Sequence, residues 1–498
     1  MSLAGPTLLT ASWVVGHAGG HHCLYPDGEI VVERDRVAFV GHGYGGAVAR
    51  RIDYGHALIG PGFIDLDALG DLDTTALGYD NQPAWKKGRI WPQSYIDSGP
   101  VEMYDEAELA FQKRYAFSRL IRGGITTALP IGSLFYRAWG ETTAEFEAAA
   151  DAARDLGLRV YLGPAYRTGN ALVREDGTID YFFDEERGLK GLEEAIAFCR
   201  RMEGRDNGLI RTMLAPDRIE TCTPDLLRRS AAAADDLDVP VRLHSNQSRF
   251  EYDSVLKLRG MSPTAWMASL GFLSPRALLP HGTYLSGRNG IAHRSDDLGM
   301  LRDAGVTIVH CPLVSGRHGT ALQSFRSYRD MGLRIGLGTD TYPPDMFLNM
   351  QVGMMLCRVA EASATACRSQ EFYDAATIAG ADALRRPDLG RLQPGAKADL
   401  IVVDLDDPFA GQVIDPIQTL MLNAHAAMVR SVMIDGRFVM EDGVIPGIDD
   451  RDYRRRAQAQ FDGVVAKYPL RTFGHPPVHE IFPSSYPVAA PQDPAGNR

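Results

Sequence analysis

Between residues 57 and 342 the chain repeats one unit eight times: a short apolar or β-branched run, a polar turn, then helical periodicity. The runs are "ALIGPGFIDLDAL", "ITTALPIG", "RVYLGPAY", "LIRTMLAP", "VPVRLHSNQ", "RALLPHGTYL", "VTIVHCPL" and "RIGLGTDTY". Runs that are apolar on both faces suit parallel strands covered by helices. Two architectures satisfy the pattern, a closed (β/α)8 TIM-type barrel and a doubly wound open sheet. Eight units over about 330 residues point to the α/β barrel. Helix signals fill the gaps. In "DEAELAFQKRYAFSRLIRGG", Asp105 is an N-cap and Gly123 a stop, and Thr223 before Pro224 is a cap followed by a first-turn proline.

The flanks read differently. Residues 7–60 and 391–445 are short strands broken by turns, and "GEIVVERDRVAFVG" turns like a hairpin. They are expected to pair into one small β-sandwich made from both chain ends. The expected organisation is an N-terminal β-sandwich segment at 1–60, the barrel at 61–390, a second β-sandwich segment at 391–447, and a C-terminal helix with an extended Pro-rich arm at 448–498.

A formal net charge of -11, with no Lys/Arg run interleaved with aromatics, excludes nucleic acid as a partner. Six cysteines without a C-x-x-C pair suit reduced thiols in the cytoplasm. The N-terminus lacks a basic n-region and no run of about 18 apolar residues exists, so neither a signal peptide nor a membrane span is expected.

Unusual polar residues sit at the ends of the apolar runs: Asp65 and Asp67 on the first, His244 on the fifth, His281 on the sixth, His310 on the seventh and Asp340 on the eighth. A lone strand histidine is more often a satisfied core residue than a ligand. Three histidines and two or three aspartates at strand C-termini, where barrel active sites are built, form an N/O donor set for a divalent metal.

The pieces "PGFID", "RGGITTALP", "LHSNQ", "LLPHGTYL", "VHCPLVS", "GLGTD", "LGRLQPGAKADLIVVDL" and "VRSVMIDGRFVMEDG", in that order over about 60–440, resemble the amidohydrolase superfamily on its cytosine deaminase and atrazine chlorohydrolase branch. The resemblance implies a metal-activated water attacking a C–N or C–halogen bond. It makes His244 the fifth-strand ligand and His281 the histidine that holds water or polarises substrate. Asp340 becomes the eighth-strand ligand and proton shuttle, and His310 belongs to the His-Cys-Pro element behind the site. The expected metal set is Asp67, His244, His281 and Asp340 around one divalent ion, zinc first, with Fe, Mn or Co tolerated. Strand four carries no lysine to bridge a metal pair.

Two positions depart from the family pattern. The His-x-His pair reads Asp67-Ala68-Leu69, and Leu69 cannot bind a metal. The H-x-x-E element reads His244-Ser245-Asn246-Gln247, and an amide hydrogen-bonds but moves no proton. Such divergence also resembles the phenylurea hydrolase group. The expected function is therefore hydrolysis of an amide, urea or carbamate bond in a small, apolar molecule, with Asp340, His281, His310 and Gln247 around the reacting atoms. The competing readings are a heterocycle deaminase or dehalogenase, and a metal-free ligand-binding barrel. A homo-oligomer, dimer or higher, is expected.

Three weaker features remain. "HAGGHHC" at 17–23 clusters histidines in a Gly-rich loop, and a metal role there is disfavoured. Met346, Met350, Met354 and Met355 are spaced for helix packing. The long stretch 79–104 carries Tyr79, Trp85, Trp91, Tyr95 and Tyr104, and reads equally as a lid over substrate or as rings that pin the loop.

Overall fold

The computed structural model describes residues 5–78 and 90–489. The eight runs form parallel strands at Phe63–Leu69, Ile125–Ile131, Arg159–Leu162, Ile210–Thr212, Val241–Arg242, Ala277–Pro280, Thr307–His310 and Arg334–Leu337. The first four pair as one sheet and the last four as another. Hydrogen bonds join the two sheets at both seams. Leu214 pairs with Val241 at one, and Asp340 N donates to Asp67 O at 2.8 Å at the other. The strands therefore form a ring with no free edge, and the open-sheet alternative falls.

The ring interior is packed. Ile64, Leu66, Leu129, Tyr161, Met213, Leu278 and Val309 fill it from successive strands. "GLGTD" on the eighth strand owes its glycines to this crowding: a Cβ on Gly338 would lie 2.7 Å from Asp67 Cβ, and one on Gly336 2.5 Å from Leu66 Cδ1.

Helices cover the ring. Glu106–Arg122 starts on a capping box, with Asp105 Oδ1 accepting from Glu108 N at 2.8 Å and Glu108 Oε2 from Asp105 N at 2.9 Å. Losing such a cap costs about 1 kcal/mol. Phe117, Leu120 and Ile121 form its buried stripe at i, i+3, i+4 spacing. The helix Pro224–Leu237 begins after Thr223 as expected, but the Thr223 side chain makes no cap bond. Proline at the first turn leaves one fewer orphan N–H to cap. Of the four methionines, three are buried and Met355 is exposed.

The strands of the two chain ends belong to one eight-stranded sheet. Ala57–Pro61 pairs antiparallel with Leu400–Asp404, which leads on to Val429–Ile434 and Arg437–Met440. Instead of two separate layers, hydrogen bonding branches at Thr7–Ala18. That strand pairs with His21–Glu33 on one side, and with both Arg50–Asp53 and Ala57–Pro61 on the other. The sheet closes on Leu9, Val14, Ile30, Val32, Ile59, Leu400, Val402 and Met433. "HAGGHHC" lies on the two strands of this hairpin, with only its glycines in the turn. His17 Nδ1 pairs with Gln393 Oε1 at 2.7 Å and His22 Nε2 with Thr377 Oγ1 at 3.1 Å.

A buried ion network fastens this sheet to the ring. Arg159 on the third ring strand holds Asp399 (Nε–Oδ2 3.0 Å) and Asp435 (Nη2–Oδ1 2.6 Å). The helix Asp450–Lys467 and the segment beyond it are packed rather than fully extended. Ala457, Val464, Tyr468 and Ile481 join Leu72, Leu77, Tyr104, Tyr115 and Tyr342 in one apolar cluster over the ends of the first and eighth strands. Arg471, buried, donates to Phe135 O and lies 4.3 Å from that ring. Among the described residues no helix is long and apolar enough to cross a membrane.

Candidate active site

The first and eighth strands meet at two aspartates with different tasks. Asp65 accepts from Thr339 N (3.0 Å), Thr339 Oγ1 (2.6 Å) and Asp67 N (3.1 Å). Both its oxygens are used in tying the strands together, so it is a clamp. Burial pushes its carboxyl up to about 6.

Asp67 is less committed: its Oδ2 accepts a long contact from Cys311 Sγ at 3.9 Å. Its carboxylate, His244 and His281 each offer a donor atom within 4.8 Å of the others, and all three residues are buried. His244 Nδ1 faces Asp217 O at 3.1 Å, which fixes the proton on that nitrogen and leaves Nε2 bare, 3.5 Å from Asp67 Oδ2. Asp67 Oδ1 lies 3.2 Å from Arg242 Nη1, without hydrogen-bond geometry. His281 Nε2 is buried with no hydrogen-bond partner and stands 3.7 Å from Asp340 Oδ2. Asn246, His281 and Asp340 all adopt left-handed backbone, with φ of +58°, +80° and +44°. Non-glycine residues are held there only when surroundings over-determine them, a condition common at functional sites.

The charges are set by burial and by one another. For Asp67, burial would raise the carboxyl, but the neighbouring His244, then Arg242 and His281, outweigh it and hold it below the ordinary range. Burial, then His244, depress His281 well below the usual imidazole value. Burial alone brings His310 down to about 3. Asp340 is pushed well up, by burial first and by Asp67 second.

This geometry fits a divalent cation. Bonds of about 2.0–2.1 Å in a tetrahedral shell place ligand atoms roughly 3.4 Å apart, close to the 3.5 Å between His244 Nε2 and Asp67 Oδ2. An orphaned imidazole nitrogen in the same group is the atom such an ion would satisfy, and a neutral ring is the form that binds it. Three of the four expected ligands form the group, and Asp340 flanks it beside His281. Leu69, where the family has its second histidine, packs into the apolar cluster of Leu72 and Leu77. His310 ends the seventh strand and lies 6.2 Å, ring to ring, from Phe325.

Gln247 lies on the loop after the fifth strand. Its side-chain Oε1 accepts from Arg218 Nη1, and Glu251 holds the loop from beneath, accepting from Gln247 N at 3.1 Å and from Asn246 N. Arg218 follows the fourth strand and pairs across one strand spacing with His244. Sequence reading missed Arg242, Arg218 and Asp217. Arg242 was the detectable one, a charge inside the apolar run "VPVRLHSNQ".

The aromatic stretch divides. Tyr79 and Trp85 lie outside the described residues. Trp91 and Tyr95 are buried against Trp139 and Leu172, and Tyr104 sits in the cluster under the C-terminal helix. Trp91 is 2% exposed. Buried in these clusters, the three rings anchor the described part of the stretch.

The sequence profile of the amidohydrolase family matches residues 73–439, beginning just past the departure at Asp67–Leu69. Among curated relatives, the 5-methylthioadenosine/S-adenosylhomocysteine deaminase of Halobacterium salinarum is 27% identical over 448 residues, 89% of this chain and 95% of its own. That of Desulfitobacterium hafniense is 26% identical, covering 90% and 96%. Two zinc-bound structures share the fold. Atrazine chlorohydrolase TrzN from Arthrobacter aurescens TC1 has a TM-score of 0.75 at 21% identity, covering 91% of this chain and 100% of its own. An adenosine deaminase from Xanthomonas campestris has a TM-score of 0.75 at 20% identity, covering 92% and 98%.

Proposed function

The chain belongs to the amidohydrolase family and acts as a hydrolase on C–N bonds, and from that premise we propose that its bond is an open-chain amide, urea or carbamate. Asp67, His244 and His281 would hold one divalent ion, zinc before Fe, Mn or Co, since two imidazoles and a carboxylate leave a position open for water or substrate. When bound, such an ion polarises a carbonyl and makes water acidic enough to react near neutral pH.

The chain's own groups then divide the remaining work. Asp340, beside His281 at 3.7 Å, takes the proton of the attacking water and returns it to the leaving nitrogen. His281, with Nε2 committed to the ion, has no N–H on that nitrogen for the developing oxyanion. Arg218 and Gln247 present N–H groups on the neighbouring side, where they orient the substrate without moving a proton. His310, whose proton affinity falls to about 3, is no base near neutral pH and serves as packing behind the site.

The observation that carries this reading is the Arg218–Gln247 contact. Arg218 has only donors, so Gln247 must present Oε1 to it, and neither group can surrender a proton. Ring deamination needs an acid there, whereas amide or urea hydrolysis does not. The test is to load the protein with zinc and measure turnover of ureas, carbamates and anilides against ammonia release from purines and pyrimidines. Faster ammonia release would overturn the proposal. Deamination is the second reading, favoured by the deaminase relatives and by Glu220, a buried acid raised to about 7 with an unpartnered Oε2.

A further inference from the structure

Arg218 is an unusual residue to find beside such a site. Its Nη1 is taken by Gln247 Oε1, but its Nε lies 4.0 Å from Asp217 Oδ1, beyond hydrogen-bond reach. The other oxygen of Asp217, Oδ2, is 3.3 Å from Arg167 Nη1. Among the described residues no partner reaches Arg218 Nη2, and its side chain keeps 40% of its surface open. The Nε–Nη2 edge, a two-donor fork, is therefore unused. Gln247 adds to it: with Oε1 turned to Arg218, its Nε2 offers two further N–H groups. One wall of the site thus presents donors.

The charge on that wall is only partly offset, because Asp217 divides its carboxylate between Arg218 at 4.0 Å and Arg167 at 3.3 Å. Glu251 spends its oxygens on the N–H groups of Asn246 and Gln247. Burial pushes Glu251 up and Glu220 up to about 7, which weakens both as counter-charges to Arg218. Arg218 stands next to the candidate metal group, on the segment that neighbours His244. Its backbone lies one strand spacing, about 4.8 Å, from that of His244.

We infer that the substrate bears a carboxylate a few bonds from its scissile carbonyl, received by the free edge of Arg218 and the Gln247 amide, as in an N-acyl or N-carbamoyl amino acid. This rests on the hydrolase reading and narrows its substrate class. A guanidinium fork matches a carboxylate in geometry and charge, where a lysine offers only a point charge.

The test uses the zinc-loaded full chain and a series of N-acetyl and N-carbamoyl amino acids, with side chains from alanine to phenylalanine, each against its own primary amide. Binding is measured by calorimetry and turnover separately. At least one acid should bind 30-fold or more tighter than its amide, and Arg218→Gln should cut that preference to within about threefold while zinc content stays unchanged. A preference that survives in Arg218→Gln comes from the metal itself and overturns the inference. So does a series in which no acid binds better than its amide. If Arg218→Gln does not fold, Arg218→Lys carries the test: some of the preference should remain, and full retention refutes the fork. Acid-selective binding without hydrolysis leaves the carboxylate subsite standing and removes the open-chain amide, urea or carbamate reading.

Discussion

Replacing Arg242 with methionine probes whether Asp67 is a metal ligand. In the folded chain Arg242 faces Asp67 Oδ1 at 3.2 Å and donates from the same Nη1 to Leu129 O at 2.6 Å. Both side chains are buried. Removing one partner of a buried pair strands the other charge and costs about 3–5 kcal/mol. At about 2.1 cal/mol/K per residue, a chain of 498 residues unfolds with an entropy near 1 kcal/mol/K. The metal-free variant should therefore melt about 4 °C below the parent. Zinc at a thousand times its Kd stabilises a binding-competent chain by about 4 kcal/mol. In the variant it would also replace the missing positive charge, so the zinc-induced rise in Tm should exceed the parent's by about 2–4 °C. The assay is scanning calorimetry of chelator-treated protein, with and without zinc, at pH 8 and one scan rate. A zinc shift equal to or smaller than the parent's would refute the assignment of Asp67 to the ion.

Asp340→Asn should lower kcat by at least about a hundredfold, the scale of a lost general base. It should also keep its zinc, measured by elemental analysis, because Asp340 lies outside the three-residue group. Trp91→Ala should cost about 3–5 kcal/mol in stability and move KM less than about twofold; a large KM change at unaltered Tm would return the ring to the substrate. His310 supplies a pH test on metal-free protein. Its folded value is about 3 and its unfolded value about 6.5, so the unfolded chain takes up the proton first, and stability falls as pH drops below about 6.5. Between pH 7 and pH 5 the loss is about 2 kcal/mol. His310→Asn should gain that much relative to the parent across the same interval in denaturant titrations, and parallel curves for the two proteins would contradict it.

Much of this was visible in the sequence, for a definite reason. Strands covered on both faces read as uninterrupted apolar runs, so His244, His281 and Asp340 stood out at their ends. What escaped depended on curvature and on partner choice. Arg218 and Gln247 are 29 residues apart and meet only because adjacent strands deliver them to one side of the ring. Asp340 stands beside the three-residue group, 3.7 Å from His281, and strand order alone does not say which strand-end groups share one ion. The branching of the outer sheet was hidden because alternation tells which face a residue takes, not which neighbour it pairs with. Thr7–Ala18, at 12 residues, is long enough to serve two neighbours on one edge. The proline content of the tail suggested an arm, while Tyr468, Arg471 and Ile481 were the anchors that composition obscured.

The Arg159 network has a consequence for how the chain is made. Asp399 follows Arg159 by 240 residues and Asp435 by 276. At roughly 5–20 residues per second, the arginine leaves the ribosome about 12–50 s before its first counter-ion exists. Through that interval the third strand cannot settle dry into its place, because an unpaired guanidinium there costs several kcal/mol. Completion of the catalytic ring is thus timed by the arrival of the last outer strands. A nascent chain stalled before residue 399 should hold the ring open and protease-sensitive. For the same reason, a fragment cut to the ring alone starts with a stranded cation on the face that the outer sheet covers and needs Arg159 redesigned before it can stand by itself.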